Sequence, residues 1–376
     1  MNPISLTLPT DTTSVILPEP PGSTRRPFLS LIPGSADEFL LVLDNSSMDR
    51  IKRCHQSARK YLLLGREAHA RSAALVYGGA IHQGLELFHH EQYLQQTLGY
   101  NLGPEFDSCN EVKEYAAIRT HFLNNPSPPD PFRTVETALV VMKEYRSQCN
   151  PLIHPDYEWE VSSNSSGPII ERAFELPLGV IPLHSEVPGY GHISFVHVAW
   201  SGRIDLLAKA NCRVRVVDNK TTSINDEKFV SSFQLSSQTI GYVWAAQQLF
   251  PELEPSGFLL NAIYLNGVAA KAAVLAGRSV AEKGPRGGDA PLKFFRYYFD
   301  YSPERVAEWS ADQLVFVSDF LHSVARAHFP LNDRACYDKF GECEYHNVCL
   351  MDNPEARDLY LLSDAFRQVT WNPTAK

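Results

Sequence analysis

The sequence predicts an α/β (α+β) domain with helical elaborations. Three observations predict it. Helical periodicity runs through most of residues 46–147. Strand-like alternation punctuated by Gly and Pro follows over about 157–220. The chain then returns to a helix, two strands and a final helix between 232 and 328. The 376 residues are ample for a proper core, and 44% hydrophobic with 20% charged residues is the composition of an ordinary globular protein. No apolar run approaches the ~20 residues of a membrane span. The N-terminus, M-N-P-I-S-L-T-L-P-T, lacks the basic and apolar regions of a secretory signal. A cytoplasmic location without membrane contact is therefore expected.

Each element has its own signal. Residues 1–35, with the run P-E-P-P-G-S-T-R-R-P, lack a sustained period and read as an extended or disordered arm. Residues 46–64 predict a helix, with Ser46 or Ser47 as cap and Ile51, Cys54, Ala58 and Leu62 on one stripe. A second helix spans 71–96, with Ala80, Leu85 and Phe88 turned inward. Helix resumes over 110–147, broken by N-N-P-S-P-P-D-P at 124–131. Residues 36–150 thus form a helical N-terminal part.

Residues 151–330 carry the core. Strands are expected at P-I-I-E-R-A-F-E-L-P-L, I-S-F-V-H-V-A-W, S-G-R-I-D-L-L and R-V-R-V-V-D-N-K. A helix at 232–249 follows, then the strands G-F-L-L-N-A-I-Y-L and K-F-F-R-Y-Y-F-D-Y, and a helix at 303–328. Between the last two strands, residues 267–293 are Gly-rich and carry Lys271, Arg278, Lys283, Arg286 and Lys293. This stretch reads either as a mobile basic arm gripping a nucleic-acid strand or as a solvated loop. Residues 331–376 form a cysteine-containing tail.

The formal net charge of −9 argues against indiscriminate binding to nucleic acid but leaves room for a local basic groove. The seven cysteines, an odd number, argue against a disulfide framework and for ligation of a metal or cluster. Cys109, Cys149 and Cys212 have no partner at a useful spacing. Cys336, Cys343 and Cys349 crowd into R-A-C-Y-D-K-F-G-E-C-E-Y-H-N-V-C-L-M, and Cys54 is the candidate fourth thiolate. Such a set completes either a tetrahedral Zn²⁺ site or a [4Fe–4S] cluster, with His346 able to replace one thiolate.

The chemistry-bearing residues lie at strand ends. Asp218 and Lys220, two apart in V-V-D-N-K-T-T, project from one face of a strand, and Asp205 ends G-R-I-D. Taken alone, the spacing of Asp218 and Lys220 favours an ordinary ion pair, with Asp205 in a turn. Brought together, two carboxylates make a hard-oxygen site for Mg²⁺ or Mn²⁺, and a lysine beside it orients water or offsets charge on a phosphate. That is equipment for phosphodiester hydrolysis.

G-R-I-D-L-L followed by V-V-D-N-K-T-T resembles the G-x-x-D and D-x-K motifs of RecB-type nucleases in the PD-(D/E)XK superfamily. Gln238 and Tyr242 resemble the Q-x-x-x-Y helix that follows, and Y-G-G-A-I-H-Q-G-L-E resembles the helix whose histidine reaches the metal, matching His82. Glu171 matches an acidic position more loosely. The cysteine arrangement is similar to that of iron–sulfur members of the group, the helicase–nuclease subunit AddB and the CRISPR-adaptation nucleases. It departs in its first gap, which is wider here, while C-x5-C is kept.

The resemblance implies a restriction-endonuclease-like core, a central mixed sheet flanked by helices, with a cluster clipping the tail to the helical part. It implies Mg²⁺ or Mn²⁺ held by Asp205, Asp218, His82 and the backbone carbonyl of Asn219, with Lys220, Gln238 and Tyr242 assisting. The expected activity is DNA cleavage, as an exonuclease in processing, recombination or repair. Lys271, Arg278, Lys283 and Arg286 are candidate DNA contacts. No phosphate-binding loop of a motor is present, so a helicase or recombination partner is expected to supply unwinding. The alternative is an inactive nucleic-acid-binding or recombination-accessory protein on the same fold.

Overall fold

The computed structural model describes residues 27–68, 72–98, 104–149, 159–224, 227–284, 288–338 and 341–369. Most of the expected arm therefore lies outside the described residues. The chain divides into two compact units, each assembled from separated stretches.

One unit comprises residues 70–172 and 204–302. Its helices Ala73–Leu98, Pro104–Asn124 and Val135–Cys149 pack around Ile81, Leu85, Phe88, Val141, Met142 and Tyr145. The Pro-rich breaker separates the second helix from the third, as its residues dictate. The sheet of this unit is mixed. The end of the Gly191–Ala210 strand runs antiparallel to Arg213–Thr222, which runs parallel to Gly257–Leu265, which runs antiparallel to Leu292–Asp300. Asn211 and Cys212, both at positive φ (51° and 61°), make the two-residue hairpin that joins the first pair. The parallel step needs a crossover, supplied by the helices Glu227–Gln234 and Ser237–Leu249. This mixed sheet with flanking helices is the α/β architecture the sequence predicts.

The other unit comprises residues 1–69, 173–203 and 303–376. Its strand Glu38–Leu43 lies parallel to Phe195–Trp200 and antiparallel to Ser30–Leu31. The 303–328 helix is found as Pro303–Ala325 and buries Trp309, Val317, Phe320 and Leu321. The tail folds back as the strand Phe366–Gln368 on Arg66–Ala68.

Three local readings change. The strand Glu38–Leu43, E-F-L-L-V-L, falls in a stretch read as helical; it is a short apolar run whose period does not separate strand from buried helix. The expected 46–64 helix is two pieces, Asn45–Arg53 and His55–Ala58, with a π-helical turn at Arg59–Leu63; Cys54 between them is extended, at φ −164° and ψ 118°. Its cap is Asp44, whose carboxylate accepts from the Ser47 backbone N–H at 2.8 Å, rather than Ser46 or Ser47. The start of the Gly-rich segment is the helix Gly267–Leu275, capped by Asn266; its alanines favour helix.

Within the three-helix layer, Arg146 bridges two nearly buried carboxylates, Glu91 at 2.6 Å and Glu114. One guanidinium cannot neutralise both. Burial pushes the Glu114 carboxyl up to about 7 from 4.5, against the pull of Arg146. Between those values the folded chain holds a proton that the unfolded chain has released, so stability falls as pH rises from about 4.5 to about 7. Glu114→Gln is expected to flatten that slope in denaturation measured across the window; an unchanged slope contradicts the assignment.

Candidate active site

The ladder between the two antiparallel strands ends at Leu206↔Val217, so Asp205 and Asp218 are the next residue along each strand. The Asp205 carboxylate accepts the Asn219 backbone N–H at 3.0 Å, which ties the two strand ends together. Asp218 points into the interior, its side chain 2% exposed. Its Oδ1 accepts from Lys220 Nζ at 3.1 Å and from Gln238 Nε2 at 3.0 Å. Gln238 is placed by the first turn of the Ser237–Leu249 helix, which Ser236 caps. Tyr242, one turn on, is partly exposed.

The electrostatics follow from burial. Desolvation raises the Asp218 carboxyl above its ordinary range, and the Asp205 charge adds to this against Lys220 and His82. Burial opposes the Lys220 ammonium, but the Asp218 and Asp205 carboxylates outweigh it and hold its pKa above the usual lysine value. Lys220 is therefore a cation here. Asp218 Oδ2 lies 2.9 Å from that ammonium nitrogen, yet it is buried and accepts no hydrogen bond among the described residues.

His82 and Glu171 come from elsewhere. The Ala73–Leu98 helix crosses close to the Arg213–Thr222 strand because Gly78 has no Cβ; one built there would sit 3.0 Å from Thr221 Oγ1. One turn later, His82 Nδ1 lies 3.4 Å from Asp205 Oδ2. Glu171 sits at φ +48°, a left-handed conformation that costs a non-glycine residue roughly 1 kcal/mol or more. His82, Glu171 and Asp205 each offer a ligand atom, all within 4.8 Å of one another. A histidine nitrogen with two carboxylate oxygens fits a divalent cation; Asp218 stands outside this trio, paired with Lys220 and close enough to feel the Asp205 charge.

The sequence reading did not single out the polar group beneath this site. Asn261 is fully buried and donates to Asn219 Oδ1 at 2.7 Å and to Tyr145 OH at 2.8 Å. It holds the Asn219 side chain on the sheet face away from Asp218, while the Asn219 backbone holds Asp205. Its only signal was one asparagine inside the apolar run G-F-L-L-N-A-I-Y-L.

Of the candidate nucleic-acid contacts, Lys271 is exposed on the Gly267–Leu275 helix, Lys283 is exposed, and Arg278 donates to the Lys283 carbonyl at 3.4 Å. Arg286 lies outside the described residues.

The cysteines belong to the other unit. The break at Cys54, the hairpin Tyr337–Asp338 with Gly341–Glu342, and the short helix His346–Leu350 bring Cys54, Cys336, Cys343 and Cys349 near one another. Desolvation raises the Cys336 thiol, and Cys349 and Cys54 add to the shift. Burial also raises Cys343, beside Cys349 and Cys336. The Cys343 N–H donates to the Cys336 carbonyl at 2.8 Å, and Gly341 at φ +119° turns the loop. Lys60 is only 3% exposed, and its ammonium lies 3.2 Å from Cys349 Sγ; among the described residues no carboxylate pairs with it. His346 pairs with Glu342.

If the His82, Glu171 and Asp205 trio holds a cation, Glu171→Gln is expected to weaken Mn²⁺ binding by about 10-fold or more in calorimetric titration, on the scale that removing even an outer-shell partner reaches. Equal affinity in the variant contradicts it.

A search of the curated proteins finds no match. Among protein families, the one described as the PD-(D/E)XK nuclease superfamily matches residues 45–350, a span that contains every group of the acidic site and all four clustered cysteines. The chain belongs to the PD-(D/E)XK nuclease superfamily.

Proposed function

We propose that the chain is a Mg²⁺- or Mn²⁺-dependent deoxyribonuclease that degrades DNA from ends, in processing, recombination or repair. The observation that carries the reading is Asp218. A buried carboxylate, both of whose oxygens face the Lys220 ammonium, stands near a second carboxylate at the ends of neighbouring strands. Nucleases of this superfamily use divalent metals. Such a cation, bound here, polarises a phosphoryl oxygen and lowers the pKa of a coordinated water.

The protein's own groups would divide the remaining work. Asp205, Asp218, His82 and Glu171, with the Asn219 carbonyl, would hold the ion. Lys220 acts as an ammonium: it donates hydrogen bonds to the attacking water or to the phosphate and offsets the charge that develops there. Gln238 fixes the Asp218 carboxylate from the helix side, and Tyr242 on the same face would contact a phosphate. Contacts of this kind read the sugar-phosphate backbone, so cleavage is largely independent of base sequence. Lys271, Arg278, Lys283 and Arg286 would add backbone contacts, and a partner helicase would supply single strands.

Asp218→Ala and Lys220→Ala are each expected to abolish Mn²⁺-dependent degradation of end-labelled linear DNA with the fold retained by circular dichroism. A circular DNA of the same sequence is expected to resist the wild type. Activity in both variants contradicts the assigned site; degraded circles contradict the end requirement alone.

The four cysteines are proposed to hold a [4Fe–4S] cluster. One feature supports an anionic thiolate set: the buried Lys60 ammonium, hydrogen-bonded to Cys349. Anaerobically purified protein is expected to be brown with broad absorbance near ~400 nm, lost in Cys343→Ser. Colourless protein with stoichiometric zinc contradicts the cluster.

A further inference from the structure

The sheet register carries information about the substrate that the acidic groups do not. Lys220 is paired across the parallel ladder with Ala262, and Ala262 across the antiparallel ladder with Phe295. One step along, Asp218 is paired with Leu260 and Leu260 with Tyr297. Tyr264 lies two residues beyond Ala262 and two before Asn266, in the row that begins at Thr222. Side chains directly opposed across a ladder project to one face, and residues two apart share it. Tyr264, Phe295 and Tyr297 therefore stand on the sheet face that carries Asp218 and Lys220. Strands lie about 4.8 Å apart, so Tyr264 stands one strand, about 5 Å, and Phe295 and Tyr297 two strands, about 10 Å, from the strand that carries Asp218 and Lys220.

The shape of this face matters as much as the distance. Between Lys220 and Phe295 the intervening residue is Ala262, which is fully buried, so the rings and the partly exposed acidic groups are the accessible parts of this face. The Phe295 and Tyr297 rings lie nearly parallel, with centroids 6.2 Å apart and planes at 20°, and Tyr264 meets Phe295 edge-on at 6.1 Å. All three side chains are partly exposed. Phe294, on the opposite face of the same strand, instead packs on Tyr145 in the helical core at 5.4 Å. On the side of the acidic residues the strand thus carries two partly exposed rings, Phe295 and Tyr297, followed by the buried Phe299.

We propose that Tyr264, Phe295 and Tyr297 are a stacking platform for unpaired bases of the strand whose phosphate is cut, so that the preferred substrate is a single-stranded end or overhang. The proposal rests on the nuclease reading of Asp205, Asp218 and Lys220. Aromatic rings bind the faces of bases, and only an unpaired strand offers those faces; a duplex keeps them stacked on one another. Stacking is indifferent to base identity, which agrees with backbone-directed cleavage.

Binding is tested by fluorescence anisotropy in EDTA, where no cleavage can occur, so the result is independent of whether the protein is a nuclease. The probes are a labelled oligothymidine strand, its oligouridine counterpart, an abasic strand of equal length and a blunt duplex. Phe295→Leu and Tyr297→Leu are each expected to weaken binding of oligothymidine about 5-fold to 100-fold, the range of one base–ring stack. Phe295→Trp should restore it, and affinity for the abasic strand and the duplex should not change. An equal loss with oligouridine extends the platform to RNA; a loss with oligothymidine alone restricts it to DNA. The proposal is overturned if oligothymidine affinity is unchanged in both leucine variants, or if the abasic strand and duplex lose as much. Activity is read separately: a wild type that binds strands through these rings but cleaves none removes the nuclease assignment and leaves the platform standing.

Discussion

A carboxylate withdrawn from water is costly unless positive charge meets it, and the candidate site of this protein is organised around that cost at Asp218. Lys220 supplies one charge from the same strand, and Gln238 supplies a hydrogen bond from the helix above. Asp205 then brings a second negative charge into the same neighbourhood, held by the Asn219 backbone. Two carboxylates against one ammonium leave a deficit of positive charge, although both Asp218 oxygens meet Lys220. A divalent cation would supply the missing charge.

The surroundings fix the geometry. Asn261, which also donates to Tyr145, holds the Asn219 side chain from below, so the strand end that presents Asp218 and Lys220 has little freedom to rotate. The absence of a Cβ at Gly78 lets the His82 helix come close. Helix, hairpin and crossover therefore converge on a few atoms, which is what preorganised electrostatic catalysis requires.

Much of this was legible in the sequence because it depends on short spacings. Asp218 and Lys220 share a face through the strand period of two, and Gln238 follows at the start of the next helix. The alternation of helical and strand-like stretches gave the α/β class. What remained hidden depends on distant parts of the chain. Glu171 is matched only loosely in the sequence, and the left-handed backbone conformation it adopts is one that no local preference predicts for glutamate. Asn261 looks like a single interruption in an apolar strand, and its role exists only once Asn219 lies beside it. Ile51 and Ala58 are buried as the helical stripe expects, yet the chain breaks at the half-buried Cys54 between two short helices. Lys60 illustrates the same limit: a lysine in a helical stretch reads as a solvated charge, whereas here it is buried against Cys349.

The central claim is that Asp205 and Asp218 share one divalent cation. Crystals grown with Mn²⁺ and measured at an energy where manganese scatters anomalously test it directly. The account predicts an anomalous peak within coordination distance of a carboxylate oxygen from each aspartate, with Asp218 Oδ2 among the ligands. A peak that touches neither aspartate, or manganese bound while Asp218 remains paired with Lys220 alone, would contradict it.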